Sequence, residues 1–333
     1  MEDNEKSYLI SIIICHWQGN LIYHCLNSLE NVKAQKIVVT TDMDYHKIFS
    51  DVSTLYLIKE LNNPTLKRNQ GAILAKGEYL VFMDDDVEVK SDCIDNMADY
   101  LDNHSEVGML YAMLYKMDNH AIIDTSGSFL TWCGFLYETY LNRISPLPIL
   151  SGKSALCMIR KDLFDKIGKF DEDFVIYGEE TDLSWRVWLA GYKIMVLPSA
   201  IGYHAFETSL KPGSYYNQKF IHYHGCKNYL TMLIKNLPAR KLYIVGINAL
   251  IWLLVSFALW FRNRKGAIWI WQGIGYNIVN FKYIWNKRKK IERVDENFYK
   301  YIYRNPPISY YINRFTDYIQ HQLHGGISEK NKP

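Results

Sequence analysis

Tyr79-Leu80-Val81-Phe82-Met83-Asp84-Asp85-Asp86 is five apolar residues running into three carboxylates. So short an apolar run, with Gly77 just before it and acids just after, predicts a buried strand whose carboxyl end carries the aspartates. Working upstream, residues 68–76 predict a helix with Gly77 as its stop. Residues 9–15 (LISIIIC), 36–40 (KIVVT) and 54–58 predict further strands, and Ile22, Cys25, Leu26 and Leu29 share one helical face. Strands alternating with helices imply an α/β domain with a largely parallel sheet. In such sheets ligands bind beyond the carboxyl ends of the strands. The aspartates and the His16-Trp17 loop therefore share a candidate edge.

Downstream, residues 162–167 and 181–190 predict helices, and residues 193–197 predict a strand stopped by Pro198. The middle of the chain is more irregular, with a turn at residues 168–172. Of the 333 residues 49% are apolar, which excludes a disordered chain and allows a large buried core. The net charge of +3 conceals an imbalance: from Lys235 onward there are 17 Lys/Arg against 5 Asp/Glu, so the preceding part is acidic. A basic, aromatic-rich region faces either nucleic acid or an anionic membrane. The apolar runs within it favour the membrane and argue against nucleic acid. The six cysteines form no CxxC pair, so no zinc site is expected; several sit in apolar runs as buried thiols, and nothing demands an oxidising compartment. The N-terminal MEDNEKSY lacks an apolar signal region, and a cytoplasmic catalytic part is expected.

Four groups of residues can carry chemistry. Asp84, Asp85 and Asp86 repel one another unless a cation offsets the charge, and Mg²⁺ or Mn²⁺ bridging carboxylate and phosphate would do so. The alternative is a solvated acidic turn. Glu179, Glu180 and Asp182 open a helix, where acids are favoured by the helix dipole; one of them can also serve as general base toward a hydroxyl. Asp182 can equally pair with Arg186 one turn on. His204, in Gly202-Tyr203-His204, is a candidate metal ligand or a structural histidine. Arg68 and Asn69 at a helix start can hold phosphate or ribose, or can be ordinary surface groups.

In this order the four groups resemble the inverting family 2 glycosyltransferases of GT-A fold, closest to the branch with rhamnosyl- and galactofuranosyl-transferases. The matching segments are SIIICHWQGN with CLNSL, RNQGAILAKGEYLVFMDDD, SGKSALCMIRKDLFDKIGKFDEDFVIYGEETDLSWRVWLAGYKI and the later GYH, over roughly residues 8–210. The resemblance implies a Rossmann-like nucleotide-diphospho-sugar transferase domain over residues 1–215. It implies a nucleotide-sugar donor contacted by His16, Asp42, Arg68, Asn69, Asp84 and Asp85, with Asp84, Asp86 and His204 as metal ligands for Mg²⁺ or Mn²⁺. Glu180 aligns with the catalytic base, where the family commonly has Asp; Glu179 and Asp182 are the alternatives. The family often has Asp at the end of the second strand, but this chain has Thr40 there and Asp42 two residues on, so UDP, dTDP and GDP donors all stay open. Other enzymes of sugar nucleotides, such as nucleotidyltransferases, share the carboxylate–metal logic, but no Gly/Arg/Lys-rich loop follows the first strand. A non-catalytic glycan-binding scaffold would have lost the acids, and all are present.

Residues 216–333 read as a helical region. Residues 242–261 carry no charge and are long enough to cross a bilayer core of about 20 residues; a second apolar stretch, 266–281, follows the cations Arg262, Arg264 and Lys265. The region is expected to associate with the cytoplasmic face of the cell membrane, either spanning it or lying in its interface. The acceptor would then be a polyprenyl-linked sugar or another membrane glycan. The alternative is a buried helical hairpin in a homodimer interface.

Overall fold

The computed structural model describes residues 9–16, 19–41, 54–57, 63–205, 219–313 and 316. The predicted first strands are present as β1 (Ile10–Cys15), β2 (Gln35–Thr40), β3 (Thr54–Leu57) and β4 (Tyr79–Asp84), with α1 (Leu21–Ser28) and α2 (Pro64–Leu74) among them. β2, β1 and β4 lie parallel in the order β3-β2-β1-β4, with Cys15 opposite both Val39 and Asp84. This register brings the His16 loop level with the aspartates.

α2 starts four residues earlier than predicted, because Asn63 caps it through a 3.1 Å bond from the Leu66 amide and Pro64 suits its first turn. It also stops before Gly77. That glycine serves a close approach instead: its amide donates to Ser11 Oγ at 2.8 Å, and a Cβ there would lie 2.6 Å from the Ser11 nitrogen.

The middle of the chain, which reads as irregular, contains most of the remaining strands. β5 (Val87–Val89), α3 (Cys93–Asn103), β6 (Val107–Lys116), β7 (Ile123–Thr125), β8 (Ser128–Leu130), β9 (Leu136–Glu138) and β10 (Leu147–Pro148) lead to β11 (Leu156–Arg160) and α4 (Lys161–Lys166). β11 inserts antiparallel between β4 and β6. The sheet is therefore mixed, in the order β10-β12-β6-β11-β4-β1-β2-β3, which corrects the largely parallel expectation.

α5 (Glu179–Leu189) precedes β12 (Lys193–His204). Pro198 does not end β12. Leu197 pairs with Ala112 and Ile201 with Met113, so residues 198–200 bulge out and pairing resumes. A proline without an N–H is tolerated in a strand at such a bulge. The resumed segment sets His204 opposite Val87, next to Asp86.

The sheet is covered on both faces. Ile12, Ile14, Val81 and Met83 point toward α1 and α3, whereas Ile13, Ile37, Leu80 and Phe82 point toward α2, α4 and α5. This is the Rossmann-like α/β arrangement of a GT-A domain. The C-terminal region adds α6 (Gly225–Asn236), α7 (Tyr243–Trp260), α8 (Arg264–Val279), α9 (Phe281–Lys290) and α10 (Tyr299–Ile302). Met232, Leu233, Ile244, Phe298, Tyr299 and Ile302 join the same core as α5. All six cysteines are buried free thiols.

Candidate active site

The site forms where β1, β4 and β12 end, and each aspartate of the triplet has a different partner. Asp84 Oδ1 accepts from Arg68 Nη2 at 2.9 Å, Asp85 Oδ2 lies 2.7 Å from His16 Nδ1, and Asp86 Oδ1 lies 3.4 Å from His204 Nε2. Repulsion among three carboxylates is thus offset one at a time by the neighbouring strand ends and α2.

Arg68 is the central cation. It is buried, and its Nη1 reaches Glu179 Oε1 at 3.1 Å, so one guanidinium joins the end of β4 to the start of α5. Burial alone would lower its pKa, but Asp84 and then other neighbours including Glu179 outweigh that and raise it. Arg68 therefore holds the two acidic elements in place. Asn69 points away from this cluster: its amide donates to the Phe170 carbonyl at 3.0 Å and to Glu172 at 2.9 Å, and its oxygen accepts the Phe170 amide at 3.1 Å. Those bonds tie α2 to the 170–172 turn. Lys67, which the sequence motifs did not single out, is buried and donates to the His16 carbonyl at 2.8 Å, fixing the backbone at the end of β1. Asp42 lies outside the described residues.

Asp86 and His204 are the two expected metal ligands that the fold brings into contact. A carboxylate oxygen and an imidazole nitrogen 3.4 Å apart have the spacing of neighbouring ligands on one ion with bonds of about 2.0–2.2 Å. His204 Nδ1 bonds Asp124 at 2.9 Å, and Lys153 Nζ bonds both oxygens of Asp124 at 2.7 and 2.8 Å. A carboxylate behind a histidine fixes the ring and its tautomer for a metal on the other nitrogen. Among the described residues no three His, Cys, Asp or Glu side chains converge on one point, so two protein ligands are available here. That matches Mg²⁺ or Mn²⁺, which commonly binds through one or two side chains and completes its shell with water and substrate phosphate. Asp84, engaged by Arg68, stands apart from this pair. Burial would lower the His204 pKa, but the hydrogen bonds to Asp124 and Asp86 outweigh it and raise the pKa to about 9, so without a cation the ring is protonated between the two carboxylates and a metal ion would replace the Nε2 proton. Burial would likewise raise Asp124, yet the bond from His204 and the Lys153 charge hold it at about 2. No spacing rule would have found Asp124 or Lys153, since β7 reaches His204 only through pairing with β6.

Of the three candidate bases, the structure separates Glu180 from the others. Asp182 is fully buried and saturated: Arg186 at 3.0 Å, Lys235 at 2.8 Å and Asn236 at 2.8 Å take its oxygens. Burial would raise its pKa, but Lys235 and Arg186 outweigh this and lower it, so its carboxylate is engaged in buried ion pairs. Glu179 is committed to Arg68. Glu180 is half-buried, and burial followed by the adjacent Glu179 charge pushes its pKa well up. A carboxylate with a raised pKa is better matched to taking a proton near neutral pH.

The backbone that presents these glutamates is strained. Val175, Tyr177 and Gly178 have φ of 60°, 66° and 84°, and for a β-branched residue such as Val175 this is an outlier. Asn228 of α6 holds the turn, its Nδ2 donating to the carbonyls of Phe174, Ile176 and Tyr177 at 2.8, 2.7 and 2.7 Å. Strain fixed by a neighbouring element is a recurrent property of functional loops.

The sequence profile of the family described as "Glycosyl transferase family group 2" matches residues 79–284, from the start of β4 into α9. The chain belongs to this family. Human polypeptide N-acetylgalactosaminyltransferase 14 is 28% identical over 156 residues, covering 42% of this chain; the chain spans only 28% of that relative's length. Among solved structures, GalNAc-T7 with UDP, GalNAc and Mn²⁺ aligns with a TM-score of 0.53 at 15% identity over 74% of this chain and 55% of that one. Staphylococcus aureus TarS, residues 1–349, aligns with a TM-score of 0.50 at 14% identity over 86% of this chain and 93% of that one. At these identities the structural matches establish the fold, and the family membership rests on the profile.

Proposed function

We propose that this member of glycosyl transferase family group 2 is a metal-dependent inverting transferase. It would move a sugar from a nucleotide diphosphate to a hydroxyl of a lipid-linked or other membrane-associated glycan. The observation that carries the reading is the Asp86–His204 pair, backed by Asp124, in the same molecule as a half-buried glutamate with a raised pKa. A divalent cation, when bound by Asp86 and His204, supplies positive charge to the departing diphosphate. Glu180 accepts the proton of the acceptor hydroxyl as that hydroxyl's oxygen attacks the anomeric carbon from the side opposite the diphosphate, whose bond to that carbon breaks and whose oxygen carries away the electron pair. Arg68 keeps Asp84 and Glu179 in place, and His16 does the same for Asp85. Support for the metal comes from the related fold of GalNAc-T7, solved with UDP and Mn²⁺.

UDP, dTDP and GDP donors stay open, and the names of the curated relatives favour N-acetylgalactosamine as the sugar. We place the chain at the cytoplasmic face of the cell membrane, held there by its C-terminal region. The test is transfer from UDP-, dTDP- and GDP-sugars to a membrane extract with Mn²⁺. Asp86→Ala abolishes transfer, and Glu180→Gln lowers turnover about 10²–10⁴-fold while nucleotide binding is kept. Full activity of the Glu180→Gln enzyme would move the base elsewhere, and full activity of Asp86→Ala would defeat the metal site.

A further inference from the structure

α7 is apolar on two sides, and the two sides face different surroundings. Ile244, Asn248, Trp252, Val255, Ser256 and Leu259 are buried. Asn248 Nδ2 donates to the Cys133 carbonyl at 3.0 Å, and Ser256 Oγ accepts from Trp271 of α8 at 2.8 Å. The opposite side exposes Leu250, Leu253, Leu254, Phe257 and Phe261, with Phe257 69% and Phe261 82% accessible. The spacing of these five is one helical stripe, and no charge interrupts it. The helix Ala239–Trp260 is long and apolar enough to cross a membrane, with a mean hydropathy of 2.2 over its most apolar 18 residues.

Crossing is inconsistent with what the hairpin is attached to. α8 returns antiparallel and is bonded to α6: Asn277 accepts from Thr231 at 2.9 Å and donates to the Lys227 carbonyl at 3.0 Å. α6 is in turn bonded to the turn that presents Glu180. A hairpin that spanned the bilayer would either break these bonds or carry the polar faces of α6 and the 133–134 turn into hydrocarbon, at several kcal/mol per unsatisfied group. The connecting turn would also bring exposed Arg262, Arg264 and Lys265 through.

We infer that α7 and α8 dock flat on a membrane surface carrying anionic headgroups, with the Leu250–Phe261 stripe entering the acyl boundary. Cations lie at both ends of the stripe, Arg240 before it and Arg262, Arg264 and Lys265 after it, as an in-plane helix over acidic lipid requires. At the hairpin turn Trp260 stacks on Trp271 at 4.9 Å with Arg264 over the Trp260 ring at 4.7 Å, an aromatic–cation grouping suited to the headgroup level. The inference rests on the membrane placement proposed above and is independent of the transfer reaction.

Flotation of the purified full chain with vesicles tests it. The chain is expected to float with phosphatidylcholine–phosphatidylglycerol vesicles, about tenfold less with phosphatidylcholine alone, and to be released by a carbonate wash. The double variant Leu254→Glu, Phe257→Glu is expected to stay behind while its melting temperature and UDP binding are unchanged. Flotation of that variant at the wild-type level, or wild-type protein that resists carbonate, overturns flat docking but leaves membrane placement standing. A wild-type chain that ignores both vesicles overturns the placement itself. Dimers dispersed by the double variant would assign the face to a second copy of the chain.

Discussion

Arg68 shows how a single side chain organises this site. Its guanidinium has Asp84 on one arm and Glu179 on the other, and it is nearly inaccessible to solvent. An arginine holding two carboxylates in fixed geometry is a planar fork that lysine does not reproduce. Asp124 plays the matching part on the other side of the triplet. Asp124→Asn keeps the volume but weakens the acceptor behind His204 Nδ1 and leaves Lys153 with a neutral partner. Mn²⁺ affinity, measured by calorimetry on the enzyme with UDP, is expected to fall about 10–100-fold, while UDP binding without metal is unchanged. Unaltered Mn²⁺ affinity would show that His204 is held by its strand alone.

At the scale of elements, α6 and α9 hold the start of α5 through buried charge. Lys235 lies between Asp171 and Asp182, at 2.5 and 2.8 Å, and Lys287 reaches Asp171 and Asp173, both at 2.6 Å. Burial would raise the pKa values of Asp171 and Asp182, but the lysines outweigh it and both are lowered. Carboxylates depressed in the folded state contribute stability that is complete above their ordinary range and is lost as pH falls through the depressed values. Wild-type melting temperature is therefore expected to hold down to about pH 4 and decline only below it. Lys235→Met leaves Asp182 and Asp171 short of a partner; it is expected to cost about 3–5 kcal/mol at neutral pH and to move the acid decline to higher pH. Chemical denaturation at several pH values reads both effects. A pH profile superimposable on wild type would place the stabilising charge elsewhere.

The order of helices and strands around β4 was legible because each element has one period and a clear stop: LISIIIC, KIVVT and YLVFM are short β-branched or aromatic runs. β6 and β7 were not, since β6 is an apolar run as long as a helix and β7 is three residues whose strand character comes only from pairing with β6. Pro198 reads as a strand end because proline supplies no ladder donor, and the sequence does not show that pairing resumes at Ile201 after the bulge at residues 198–200. At the site, Asp86, His204 and Glu180 can be singled out from the motif, whereas Asp124 and Asn228 reach their partners through contacts made across the fold.

For the whole molecule, the charge imbalance has a structural consequence. The acidic part and the basic part meet at Asp171, Asp173 and Asp182 against Lys235 and Lys287, so the contrast that divides the chain in sequence joins it in space. The apolar contacts agree: Trp188 stacks on Phe298 at 5.3 Å, Trp185 Nε1 donates to the Tyr299 hydroxyl at 3.1 Å, and Leu233 and Ile244 pack against Gly134. Loss of one large buried side chain costs about 2–5 kcal/mol against a total stability of about 5–15 kcal/mol. A chain ending at residue 215 loses Met232, Leu233, Phe298, Tyr299 and Ile302 together, and with them Asn228, which holds the strained turn before Glu180. It is expected to show no cooperative thermal transition and no UDP-dependent shift, whereas the full chain shows both. The membrane-facing variant Leu254→Glu, Phe257→Glu serves as the control, since its substitutions lie on the exposed side of α7 and leave this interface intact. A cooperative melt of the shortened chain would mean that residues 1–215 fold without the helices that pack on them.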